Sequence, residues 1–423
     1  MREPGETPQI PAWRLILSAP VIVAALGYFV DIYDLILFSV VRIPSLKDLG
    51  LSGNELTDIG IRLFNTQMIG MFIGGVFWGV LGDRRGRVST LFGSIIMYSL
   101  ANLLNAGVGM SSLVNGILGP IQQYEILRLV AGIGLAGELG VGITLVAESL
   151  PARLRGLGTM VVAAVGVAGA TLAFTVAEHA GWRQAYVIGG VMGLALLGLR
   201  LIAHESGMFS QIKHSDVRRG DFLSLFTAWS RLKRYLLCIG IGMPTWFVVG
   251  IFITLTPELG VALRVSNAVS AGRAVFWCYL GLVFGDLASG LLSQVLRSRR
   301  GAVTFFLLFT AAVSAVFLTM RGHSPATYYG LCFALGVAVG YWALFVTIAA
   351  EQFGTNLRAT VATTVPNFAR GAAVPITTAY VAMRGGLGEV GSAAVVGTVC
   401  LGLALFSVWA MRETFASDLD HTE

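Results

Sequence analysis

ESLPARLRG, residues 148–156, and EQFGTNLRA, residues 351–359, place the same two charges seven positions apart: Glu148 with Arg155, Glu351 with Arg358. The copies lie 203 residues apart, and the same offset brings Gly137 onto Gly340. Each follows a long apolar run, at the equivalent point of its half of a 423-residue chain. Such a correspondence points to an internal duplication of membrane-spanning units, with a binding site expected between the two copies.

The rest of the chain fits that frame. It is 55% hydrophobic and 12% charged, with a mean hydropathy of +0.76, whereas soluble domains carry about 25% charged residues. Taking about 20 mostly apolar residues per crossing gives twelve spans, near 15–41, 61–81, 90–110, 123–147, 157–178, 184–203, 234–256, 272–296, 302–320, 326–350, 359–383 and 389–411. All are expected to be helices, since unpaired backbone is not tolerated in hydrocarbon. The basic clusters Arg84/Arg85/Arg87, Arg153/Arg155, Lys213 through Arg234 and Arg297/Arg299/Arg300 fall on one side. The excess of Lys and Arg on cytoplasmic loops then puts both termini in the cytoplasm.

A polar connector over 205–233 divides the chain into six-span bundles at 1–204 and 234–423. Its FLSLFTAWSRLKR segment alternates apolar and basic positions and is expected to lie as an amphipathic helix against lipid headgroups. The net charge of +6 forms no continuous basic face, which argues against a nucleic-acid partner. Cys238, Cys278, Cys332 and Cys400 sit singly in apolar runs without metal-ligand spacing. Gly132-Ile133-Gly134-Leu135-Ala136-Gly137 has dinucleotide-fold spacing but lies inside a lipid-length helix, not after a strand. No cofactor, no metal and no enzymatic constellation is expected.

Between spans 2 and 3 the chain reads Gly79-Val80-Leu81-Gly82-Asp83-Arg84-Arg85-Gly86-Arg87, which resembles the loop signature of the major facilitator superfamily. Arg128, Gly132, Gly134 and Gly137 in span 4, the Glu148–Arg155 element, Gly181-Trp182-Arg183 and Glu205-Ser206 extend the resemblance across the N-terminal half. Together they resemble the sugar-porter and metabolite:proton symporter branches. The second-half copy of the loop is weaker, with Gln294 where an acid would stand. The resemblance implies a twelve-helix, all-α membrane fold of two pseudo-symmetric bundles working by alternating access. It also implies that Asp83, Arg84, Arg87, Glu148 and Arg155, with Glu351 and Arg358, form a cytoplasmic gate. Ordinary helix capping and topology signalling are the competing roles for those charges.

Five ionisable residues stand deep in the spans: Asp31 and Asp34 in span 1, Glu138 in span 4, Asp286 in span 8 and Arg370 in span 11. Each costs about 2.5–3.5 kcal/mol on insertion scales, so they are expected to face water or one another. The facilitator resemblance places spans 3, 6, 9 and 12 outside the cavity, and none of the five falls there. Asp31 and Asp34 share a helix face, and two such carboxylates favour holding a proton. Their window resembles the paired-acid first span of aromatic-acid and phosphate proton symporters, without the glycine after the first Asp. Glu138 reads as proton carrier, substrate ligand or ion-pair member. Arg370, the single deep cation of this set, reads as an anion clamp or as the counter-ion of Asp286. Trp246, Tyr341 and Trp342 are candidates to stack on a planar substrate, with plain packing as the alternative.

These residues together indicate a carrier, in the cell inner membrane and working as a monomer, for a small polar metabolite. An organic anion or zwitterion moved with protons is favoured. A sugar or polyol porter, a proton-independent facilitator and an exporter remain open at the level of sequence.

Overall fold

Inside a bilayer a chain satisfies its own backbone, and among the described residues every regular element is helical, with no strand. The computed structural model describes residues 18–85, 87–138, 152–205 and 222–415. The first half comprises α1 (Ala19–Asp48), α2 (Gly53–Arg85), α3 (Arg87–Ala106), α4 (Pro120–Leu135), α5 (Ala152–Ala180) and α6 (Trp182–Glu205). The second begins with α7 (Trp229–Phe247), which runs on through a π-helical turn, Val248–Ile253. Then come α8 (Ala271–Leu296), α9 (Arg299–Thr319), α10a (Pro325–Val339), α10b (Trp342–Glu351), α11 (Thr355–Gly371) and α12 (Ala373–Ala410). Gly388, with φ +68°, interrupts α12, so that helix supplies the end of span 11 and all of span 12.

Eight described stretches are long and apolar enough to cross a membrane unaided, the last of them, Thr360–Ala410, carrying spans 11 and 12 together. Span 1 runs further than hydropathy alone indicates. α1 covers 30 residues, about 45 Å at 1.5 Å per residue, because Arg42 and Ser45 stay helical and buried against partners beyond the apolar run.

Within each half the second and fourth spans pack backbone to backbone. A Cβ on Gly70 or Gly132 would strike the α2–α4 partner's main chain, and one on Gly281 or Gly336 would strike the α8–α10a partner's. In each half the fourth span also contains a helix end. α4 gives way to a turn at 136–138, and span 10 breaks at Gly340 and Tyr341, the position 203 residues on.

The connector differs from expectation. Residues 206–221 lie outside the described residues, and Phe222–Phe226 forms one 3₁₀ turn, not an amphipathic helix. Phe222 and Leu225, three apart on that turn, are buried. Phe222 packs its ring against Tyr235 and Phe368. Burying two large apolar residues against the second half outweighs laying them along lipid headgroups. α7 then starts at Trp229, five residues before the expected boundary.

Candidate functional site

The central feature is an ion pair between the halves. Arg370, in the last turn of α11, reaches Asp31 of α1 with Nη2 to Oδ2 at 3.6 Å, and both side chains are essentially unexposed. At that distance the contact is electrostatic and longer than a hydrogen bond. Arg370 Nη1 donates to Asn367 Oδ1 at 3.3 Å. Asn367 Nδ2 in turn donates to the Ala136 carbonyl at 2.9 Å, where α4 has just ended. The pair is therefore tied to the end of α4. The Arg370 guanidinium also lies 5.9 Å from the Trp342 ring centroid, within cation–π range. Trp246 meets Trp342 edge to face at 6.2 Å, and Tyr28 and Tyr279 stand within electrostatic reach of the pair.

The other deep residues divide. Asp34 is buried on the same helix, against Gly189 of α6, with Arg128 and Asn102 as its polar neighbours. Arg128 lies over the rings of Phe38 and Tyr186. Glu138 is bound to Arg200 at 2.7 Å and accepts from the Tyr98 hydroxyl at 3.3 Å. Gly27 makes room for this pair, since any Cβ there would collide with both charged groups. The ion-pair role is thus the one in place for Glu138. Asp286 is not beside Arg370 as a counter-ion, for its Oδ1 accepts from the Ala343 N–H at 3.0 Å. Tyr341 is fully buried and its hydroxyl donates to the Ile241 carbonyl at 3.0 Å, a contact within the second half.

Two expectations need correction. Arg370 is not the single deep cation, because Arg42, Arg128 and Arg200 are also buried. Nor are the outer spans free of deep charge, since Arg200 belongs to span 6. Hydropathy hid these residues. Arg42 and Arg200 sit near span ends, where a long side chain ordinarily reaches for water, and Arg128 falls in the span 4 run that carries the family resemblance.

Of the expected gate, Glu148 and the side chains of Asp83, Arg84, Arg87, Arg155 and Arg358 lie outside the described residues. Glu351 is described, and it pairs with Arg299 of its own half at 3.1 Å and accepts from Thr414 Oγ1 at 2.7 Å. The described ion pairs that join the halves outside the membrane centre lie at the opposite end, where α1 passes to α2. They are Arg42–Glu258 at 2.8 Å, Asp58–Arg384 at 2.6 Å and Glu178–Arg273 at 3.4 Å. Thr57 also donates to Glu258 at 3.1 Å, and Thr254 donates to Ser39 at 3.0 Å. Burial disfavours charge on Glu258, but Arg42 and the hydrogen bonds around it prevail and hold its carboxyl below the ordinary glutamate range. No sequence signal marked this cluster, whose members are 212 and 216 residues apart at Arg42.

Residues 24–378 match the sequence profile of the Major Facilitator Superfamily. The chain belongs to this family. As a major facilitator it is a multi-pass membrane transporter of small molecules, and the twelve-span, two-bundle architecture is the family's own. It is 28% identical over 381 residues to a putative metabolite transport protein of Haemophilus influenzae, covering 85% of this chain and 86% of that one. It is 26% identical to the sialic acid transporter NanX of Escherichia coli, covering 86% and 87%. Among solved structures, the inward-open xylose transporter XylE of E. coli matches 95% of the chain and 97% of its own length with a TM-score of 0.68 at 18% identity, a likeness of fold.

Proposed function

We propose that this facilitator is a symporter of protons with a small organic anion, preferably a carboxylate on a planar frame. The observation that carries it is the buried Asp31–Arg370 pair, one partner from each half. A guanidinium presents a fork that matches a carboxylate. An arriving anionic substrate competes with Asp31 for that fork. Once displaced, Asp31 is an uncompensated carboxylate in the membrane interior, a state costly enough to be relieved by a proton. Anion and proton then enter the site together, and the halves are no longer tied at their centre. Trp342 supplies a flat apolar face beside the guanidinium, with Trp246 packed edge to face against it, which suits an unsaturated or aromatic acid better than a sugar.

The sialic acid relative is named for a carboxylate-bearing cargo, which supports the anion over the polyol. The basic loops favour both termini in the cytoplasm and an inner-membrane location. In that orientation the Arg42, Asp58 and Glu178 ties close the outer face, and the Asp83/Glu148 and Glu351 regions form the inner gate. The domain division is a bundle at 1–204, a connector at 205–233 and a bundle at 234–423, acting as a monomer in lipid.

Proteoliposomes given a panel of radiolabelled aromatic and aliphatic carboxylates, with sugars as controls, test this proposal. Accumulation of a carboxylate that requires an inward proton gradient is the expected result. Uptake of sugars alone, or uptake indifferent to the gradient, contradicts it.

A further inference from the structure

The break in span 10 leaves the first N–H groups of α10b without helical partners. The residue at the N-cap position, Tyr341, supplies no side-chain cap, since its hydroxyl stands at the far end of a ring and cannot reach those amides. The cap comes from another helix: Asp286 of α8 accepts from the N–H of Ala343, the second residue of α10b, at 3.0 Å. That is the position an N-cap carboxylate ordinarily serves. Gly285 and Gly340 let the two helices close to this distance, since neither has room for a Cβ. The first half solves the corresponding problem in kind. Trp78 of α2 donates its indole N–H to the Ile133 carbonyl at 2.6 Å, near the end of α4. In each half the second span therefore serves a helix end in the fourth.

Trp342 is the first residue of α10b, directly before the amide that Asp286 holds, and its ring faces Arg370 and Trp246. We propose that Asp286 is a positioning residue: by capping α10b in trans it fixes Trp342 against Arg370, and it does not carry protons. This rests on the symporter proposal for the value of Trp342 to the substrate, but the cap itself can be tested without any substrate. An acceptor is all the cap needs, so Asp286→Asn retains it through the amide oxygen and Asp286→Ala removes it.

The experiment uses purified full-length protein in nanodiscs. Hydrogen exchange is followed on peptides covering 340–346, and Trp342 emission is taken as the difference between each protein and the same protein carrying Trp342→Phe. For Asp286→Ala, exchange at the start of α10b speeds up by roughly tenfold, the consequence of losing one buried hydrogen bond, and the Trp342 emission shifts. Asp286→Asn keeps both close to wild type, and in proteoliposomes it keeps gradient-driven accumulation with an unchanged pH profile. Unaltered exchange and emission in Asp286→Ala overturn the proposal. So does an Asp286→Asn protein with wild-type exchange that no longer accumulates the carboxylate the wild type takes up, since that is the behaviour of a proton carrier. Absence of gradient-driven uptake in the wild type counts against the symporter proposal alone and leaves the exchange result to decide the cap.

Discussion

The two halves use their buried charges differently. In the first half, Glu138 and Arg200 satisfy each other at 2.7 Å within one bundle, and Asp34 lies near Arg128 on the same side. In the second half, Arg370 has no carboxylate partner of its own bundle among the described residues and reaches across to Asp31. The deep acid of its own half, Asp286, is occupied with a backbone amide. A charge paired inside one rigid bundle can stay paired while the bundles move. A pair shared between bundles cannot, and such a pair is suited to couple chemistry to motion.

Glu138→Gln probes the self-contained side of this contrast and has the largest expected effect. Leaving Arg200 buried without its carboxylate costs about 3–5 kcal/mol, seen as a lower unfolding temperature, while the surviving protein still accumulates substrate with the proton gradient. Loss of coupling at normal stability would erase the distinction between the two pairs. On the shared side, Arg370→Lys keeps the charge and loses the fork. We expect affinity to fall by roughly ten- to a hundredfold, measured as KM for whichever carboxylate the wild type accumulates, and unchanged affinity rules out bidentate capture. Trp342→Ala removes a ring worth about 0.5–2 kcal/mol to a nearby cation and its ligand, a several-fold rise in KM with little change in expression. The smallest effect concerns the outer tie. Glu258 titrates below its ordinary value, so its contribution is complete above the usual glutamate pKa and lost as pH falls through the lowered one. Local opening at 254–262, read from hydrogen exchange after correction for the intrinsic pH dependence of amide exchange, is then flat from about pH 5 to 8 and rises only in stronger acid. Glu258→Gln raises it across the neutral range, and the difference from wild type disappears in strong acid.

Much of the fold was legible because a bilayer restricts the options. Apolar runs of sufficient length become helices, and the 203-residue repeat aligned Gly137 with Gly340 but gave no sign that a helix ends at either. The list of deep acids was legible for the same reason, since a carboxylate is conspicuous in an apolar run. Their partners were not. Which guanidinium meets Asp31 depends on how α11 packs against the first bundle, and local spacing carries nothing about a contact between residues 31 and 370. Arg200 and Arg42 escaped because the ends of spans tolerate charge, so burial there leaves no mark in composition. Asp286 was visible as a costly residue but not as a cap, because its use depends on a helix break in a different span.

The exchange of partners on Arg370 is open to one direct measurement. Purified protein in weakly buffered solution with a pH indicator is titrated with the transported carboxylate, and proton uptake is counted against bound ligand. The account predicts about one proton taken up per carboxylate bound near neutral pH, and none for Asp31→Asn, which still binds. Binding by the wild type without proton uptake, or an Asp31→Asn protein that takes up protons as the wild type does, would contradict it.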